Sequence, residues 1–164
     1  MGELILNRFE EADFSWLQGW VTSPELLFQF SGGHFFYPLN FEQLMNYRAE
    51  HPDRLMYTAW MEEQPVAFGE IIPQDSGQPR LGRILVGNPA MRGQGVGTRF
   101  ISALVEECGR LYDCNTVELN VWDENTGAIR CYEKAGFVFQ PDDRVVLQAF
   151  GRDFNIHKMV KVRY

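Results

Sequence analysis

The chain has 164 residues, 45% of them apolar, and its 22 acidic residues outnumber 15 Lys and Arg for a formal net charge of −7. That is enough for one domain, 1–164, with a sizeable core, and the acidic balance argues against a nucleic-acid partner. No apolar run is long enough to span a bilayer, so no membrane partner is expected.

The start, MGELILNRFEEAD, is too acidic and too short in its apolar run for a signal peptide, so a cytoplasmic setting is expected. Cys108, Cys114 and Cys131 lack zinc-like spacing and read as free thiols. His34, His51 and His157 are scattered without a ligand pattern, so no metal is expected.

In chain order, Leu4, Ile5 and Leu6 open a first strand. Asp13 caps a helix carrying Phe14, Leu17, Trp20 and Val21. Ser23-Pro24 restarts a short helix that Ser31-Gly32-Gly33 breaks. His34 to Pro38 is an aromatic loop, and Asn40 with Gln43 reads as a capping box for a helix ending near Glu50. Strands at 54–61, 66–72 and 81–86, joined by short turns, imply an antiparallel meander.

The next stretch, LGRILVGNPAMRGQGVGTRF, organises the chain. Pro89 cannot donate to a ladder and should end the strand. Gly93, Gly95 and Gly97 let backbone N–H groups turn toward one point. Phe100, Ile101, Leu104, Val105 and Cys108 then fall on one helix face, for a helix to about Leu111. Orphan N–H groups at a helix start, beside Arg92, suit a phosphate or pyrophosphate. The residues alone leave a packing turn open as well. A Walker loop is excluded, because no lysine follows Gly97. The dinucleotide fingerprint fails at Thr98, where its third glycine belongs.

Alternation of Val117, Leu119 and Val121 marks a strand at 116–122. A strand, a helix and a strand imply parallel pairing through a right-handed crossover, which puts the loop at the carboxyl end of the first. Asn125 caps a helix from Thr126 to Ala135, and Gly136 suits its left-handed end. Strands follow at 137–139, 145–150 and 155–162, the last two around Gly151-Arg152-Asp153.

Arg-x-x-Gly-x-Gly at Arg92–Gly97, followed by Asn-x-x-Ala-x-x-x-Tyr-x-Lys-x-Gly-Phe at Asn125–Phe137, resembles the GCN5-related N-acetyltransferases (GNAT). The order of the motifs and the meander before them fit too. The resemblance implies an α/β (α+β) fold: a mixed, mostly antiparallel twisted sheet with a central, splayed parallel pair and helices on both faces. It also implies acetyl-CoA as cosubstrate. Ile84, Leu85 and Val86 would pair with the pantetheine. Amides of Arg92, Gly93, Gln94, Gly95, Val96, Gly97 and Thr98 would hold the pyrophosphate. Asn125 would bond the pantetheine arm, and Ala128 would let the ligand approach.

Tyr132 shares a helix face with Ala128. Spacing alone favours a core tyrosine; the resemblance makes it the acid that protonates the leaving thiolate. The implied reaction transfers acetyl from acetyl-CoA to a primary amine, which must first lose a proton. Glu70, which interrupts the apolar run VAFGEII, is the first candidate base, and Glu118 a weaker one. A solvated glutamate is the competing reading of Glu70.

The acceptor wall falls in the first half of the chain, with Trp16, Trp20, Phe28, Phe35, Phe36 and Tyr37 beside Glu25 and Glu42. Aromatics with carboxylates suit a cation, though core packing would also account for most of the rings. The acceptor classes are small amines, polyamines, aminoglycosides and protein N-termini. A homodimer is compatible with this reading. The competing functions are a CoA-sensing module of the same fold without turnover and a nucleotide-binding regulatory domain.

Overall fold

The computed structural model describes residues 2–87, 91 and 94–163. Its strands are β1 (Leu4–Arg8), β2 (Leu55–Met61), β3 (Gln64–Ile72), β4 (Arg80–Val86), β5 (Thr116–Trp122), β6 (Val138–Ala149) and β7 (Arg152–Val162). They form one sheet in the order β1-β2-β3-β4-β5-β7-β6. Every neighbouring pair is antiparallel except β4 with β5, the parallel pair expected from the crossover.

The helices are α1 (Phe14–Trp20), α2 (Pro24–Ser31), α3 (Phe41–Glu50), α4 (Val96–Tyr112) and α5 (Thr126–Lys134). They cover both faces of the sheet. Because strand side chains alternate, β2 and β3 send Met56 and Phe68 to one face and Tyr57, Ala59, Ala67 and Ile71 to the other. The first face packs against Phe14, Leu17, Leu27, Phe30 and Leu44 of α1, α2 and α3. The second packs against Phe100, Ile101, Leu104 and Cys108 of α4 and Tyr132 of α5.

Local signals account for most boundaries. Ser23 Oγ accepts from Leu26 N at 3.1 Å, and Asn40 Oδ1 from Gln43 N at 2.8 Å. Gly136 takes φ 101° just past α5. The two-residue turns Glu62-Glu63 and Phe150-Gly151 have positive φ throughout, the hand that matches strand twist.

Some expectations need correction. Asp13 does not cap α1 with its carboxylate; it bonds back to Glu10 N at 3.0 Å and accepts from Thr58 Oγ1 at 3.0 Å, tying the turn to β2. Gln43 does not close a capping box. Its amide instead pins the aromatic loop, through Phe36 N, Phe36 O and Pro38 O. The strands expected at 137–139 and 145–150 are one long strand, β6, whose register with β7 shifts between Gln140 and Arg144. The strand stop assigned to Pro89 lies outside the described residues.

The feature that positions the site is the split between β4 and β5. They pair only at Arg80–Glu118 and Leu81–Leu119, although β4 runs on to Val86 and β5 to Trp122. On the other side of β4, the step from Phe68 to Glu70 faces a longer step from Leu85 to Gly82. The extra residue makes a bulge, with Arg83 at φ 46°. A bulge bends its strand and sharpens the local twist, which carries β4 away from β5. It also explains why Leu81 and Leu85, four apart, enter opposite cores.

Candidate active site

A cleft of about 630 Å³ opens where the two parallel strands part. Ile84, Leu85 and Val86 of β4 form one wall, and Asn125, Ala128, Cys131 and Tyr132 of α5 and its cap form another. Gly95, Gly97 and Thr98 lie at the start of α4. Its volume falls in the usual range for small-molecule and cofactor sites.

The geometry of the α4 start suits an anion. Gly95 is its N-cap residue, with φ 81° and no side-chain cap. Apart from its chain neighbours, a Cβ at Gly95 would meet no atom of the described residues within 4 Å, which leaves room for a ligand's approach. The first N–H groups of a helix of 17 residues lack intrahelical partners and carry the positive end of its dipole. Arg130 and Lys134, four apart on α5, line the same cleft. These features fit the diphosphate of a coenzyme A.

Most of the site residues expected from the sequence meet here: Ile84, Leu85, Val86, Gly95, Gly97, Thr98, Asn125, Ala128 and Tyr132. Val96 is fully buried in the core beneath the loop, while Gln94 is exposed beside it. Arg92 and Gly93 lie outside the described residues. Asn125 already spends its side-chain oxygen as the α5 cap, accepting from Ala128 N at 3.3 Å. Its amide N–H₂ group remains the part that can reach a ligand.

Tyr132 is buried, and burial pushes its phenol above the ordinary tyrosine value, with the neighbouring Cys131 adding to the shift. It stays protonated at neutral pH, as a proton donor must.

Glu70 is not at the cleft wall. It is 0% exposed, on the opposite side of β4 from the split, so the solvated-glutamate reading fails. Tyr47 Oη donates to Glu70 Oε1 at 2.5 Å, and Arg83 Nη1 pairs with the same oxygen at 3.1 Å. Arg54 Nη1 donates to Tyr47 Oη at 2.8 Å, and the Arg83 guanidinium sits 4.4 Å from the Tyr47 ring centroid. Glu70 Oε2 and Arg83 Nε are buried without a hydrogen-bond partner among the described residues. Burial, then the Glu70 charge, pushes the Tyr47 phenol up to about 12. Glu118 is also buried, held by Gln74 Nε2 at 3.1 Å and by Lys158 Nζ at 3.7 Å.

The expected acceptor wall is divided. Phe35 is core, Trp20 packs over Gly87, and Phe28 packs against Phe154 with tilted rings, centroids at 4.8 Å. Trp16, Phe36 and Tyr37 are exposed, as are Glu25 and Glu42. The first-half residues that reach the cleft are Leu26, Gln29 and Phe30. Their three- and four-residue spacing on α2, with a glutamine inside an apolar stripe, was the available signal.

Comparison with known proteins bears on this geometry. The spermine/spermidine N(1)-acetyltransferase of Bacillus subtilis (strain 168) is 35% identical over 48 residues, 29% of this chain and 32% of that protein. An aminoglycoside N(6')-acetyltransferase type 1 of Klebsiella pneumoniae is 40% identical over 53 residues, 32% of this chain and 26% of that protein. The matches thus span about a third or less of these relatives' length.

Among solved structures, spermidine N-acetyltransferase from Vibrio cholerae with CoA and spermine superposes with TM-score 0.79, at 18% identity over 98% of this chain and 95% of that one. An aminoglycoside acetyltransferase with coenzyme A and kanamycin gives TM-score 0.77, at 21% identity over 98% and 95%. At such identities the likeness is one of fold. The model of the acetyltransferase (GNAT) family matches residues 13–137, and the chain belongs to that family.

Proposed function

We propose that this protein transfers an acetyl group from acetyl-CoA to a primary amine. One observation carries the reading: the parting of β4 from β5 opens a cleft onto both the α4 N-terminus and Tyr132. The names of the relatives support the amine as acceptor class, since they describe enzymes of polyamines and of aminoglycosides.

In this reading the backbone N–H groups from Gln94 to Thr98 hold the diphosphate, joined by Arg130, Lys134 and the Arg92 side chain. The β4 backbone at Ile84–Val86, which lies beyond the last β4–β5 pair, pairs with the pantetheine arm. Asn125 adds its amide. An N–H of the same stretch takes the developing negative charge on the thioester oxygen. The acceptor enters between α2 and the splayed strands, past Leu26, Gln29 and Phe30. Its uncharged nitrogen attacks the acetyl carbonyl, and the carbon–sulfur bond breaks as Tyr132 gives its proton to the departing sulfur.

The acceptor's proton leaves through solvent at the cleft mouth, and Tyr132 regains a proton from solvent once the products depart. Glu70 acts on this step from behind β4. With Tyr47 and Arg83 it fixes the bulge that sets the position of Ile84 and Leu85, which makes it a positioning residue. Among the described residues, no helix is long and apolar enough to cross a membrane; a cytoplasmic setting remains part of the proposal.

The test is release of free thiol from acetyl-CoA with a panel of polyamines, aminoglycosides and peptides with free N-termini. Release with at least one class supports the proposal. Tight CoA binding with no release across the panel supports the CoA-sensing alternative instead.

A further inference from the structure

His34 and His51 are 17 positions apart in the sequence, yet the fold brings them together. His34 ends the short turn Gly32–His34, and His51 follows the last residue of α3. Glu50 completes the group: one ligand atom from each of the three lies within 4.8 Å of the others.

The rings are held in place rather than loose. Both imidazoles pack on Tyr47, with centroids at 4.7 Å for His34 and 4.9 Å for His51. His34 also packs edge-on against Phe35 at 5.2 Å. The His51 backbone is fixed on both sides, its N–H donating to Tyr47 O and its O accepting from Arg54 N, each at 3.1 Å. The two imidazole centroids are 6.0 Å apart. Two imidazoles sharing one ion at about 2.1 Å per bond have centroids roughly 5–6 Å apart, so the pair needs little movement.

We propose that His34, Glu50 and His51 form a binding site for a divalent transition-metal ion, zinc foremost. Two neutral imidazoles and a carboxylate are a borderline donor set, suited to zinc, nickel or copper and poor for magnesium or calcium. Three protein ligands leave a position for water, as in open zinc sites. The charges around it are mixed: Arg54 and Arg83 lie close by, and Glu70 pairs with Arg83. Affinity should therefore be micromolar, well short of a structural zinc site. The ion would tie the Gly32–His34 turn to the end of α3 and clamp Tyr47 between its two imidazole ligands. The site lies apart from the cleft and does not depend on the acetyl-transfer reading.

The test is calorimetric titration of the metal-free protein with zinc chloride. We expect one ion per chain with Kd of about 10 µM. Affinity should fall at least ~10-fold in both His34→Gln and His51→Gln, each checked for folding by circular dichroism. It should persist in Cys131→Ser, which removes the half-buried thiol. Cobalt, added in place of zinc, should give a visible absorption band lost in the same histidine variants. No binding tighter than about 100 µM, unchanged affinity in either histidine variant, or loss in Cys131→Ser would overturn the site.

Discussion

Gly97 and Cys131 meet across the junction of α4 and α5: a Cβ on Gly97 would stand 2.7 Å from Cys131 Sγ. The helix that presents the proposed diphosphate cradle and the helix that presents Tyr132 are therefore in direct contact at this point. Gly97→Ala should force them apart, costing about 1–3 kcal/mol of stability and weakening CoA binding. Cys131→Ala removes the obstructing sulfur, so the double variant should recover most of both losses. Denaturant unfolding and CoA titration of the four proteins make the cycle.

A second prediction concerns Tyr47 and Glu70. Glu70→Gln leaves the buried Arg83 guanidinium without its counter-charge, and breaking such a pair typically costs about 3–5 kcal/mol. Tyr47→Phe removes only a hydroxyl and should cost less, about 1–3 kcal/mol. If the cluster fixes the β4 bulge, Glu70→Gln lowers kcat more than it weakens CoA binding. Turnover equal to wild type across pH in that variant would reject the positioning role.

Alkaline pH should weaken the fold in a defined window. Tyr47, Tyr57 and Tyr132 all have phenol pKa values raised from 10.0, each chiefly by burial. A group whose folded pKa is raised contributes stability that is complete below its unfolded value and lost as pH climbs through the folded one. For Tyr47 that window runs from 10.0 to about 12. Stability measured from pH 9 upward should hold to about 10 and then fall. The fall should be shallower in Tyr47→Phe.

Tyr132→Phe keeps the ring's packing and removes the proton. Turnover should drop about 100-fold, the lower end for a general acid, while CoA affinity stays as it was. Because burial keeps the phenol protonated past its ordinary range, the wild-type rate should show no alkaline limb from this group below pH 10. Stopped-assay rates across pH check both statements.

The sequence made the local features of the proposed cofactor half readable for a physical reason. Gly95, Asn125, Ala128 and Gly136 act locally: a positive φ, a cap, a small contact and a helix end each need one residue type at one position. The meander and the parallel crossover were legible for the same reason, through alternation and turn chemistry. Long-range pairings were not. Nothing near Glu70 announces Tyr47, 23 residues away, or the bulge at Arg83 that turns the next residues. His34 and His51 looked scattered because only the packing of both on Tyr47 brings them together. The acceptor wall could not be separated from core in the sequence because aromatic rings serve cores and pockets alike, and burial alone separates Phe35 from Phe36.

Calorimetric titration of the purified protein with coenzyme A tests the central claim most directly. The account predicts one site per chain, with affinity weakened in Gly97→Ala and kept in Tyr132→Phe. A protein that is folded yet takes up no coenzyme A, or binds it equally well with Gly97 replaced, would contradict it.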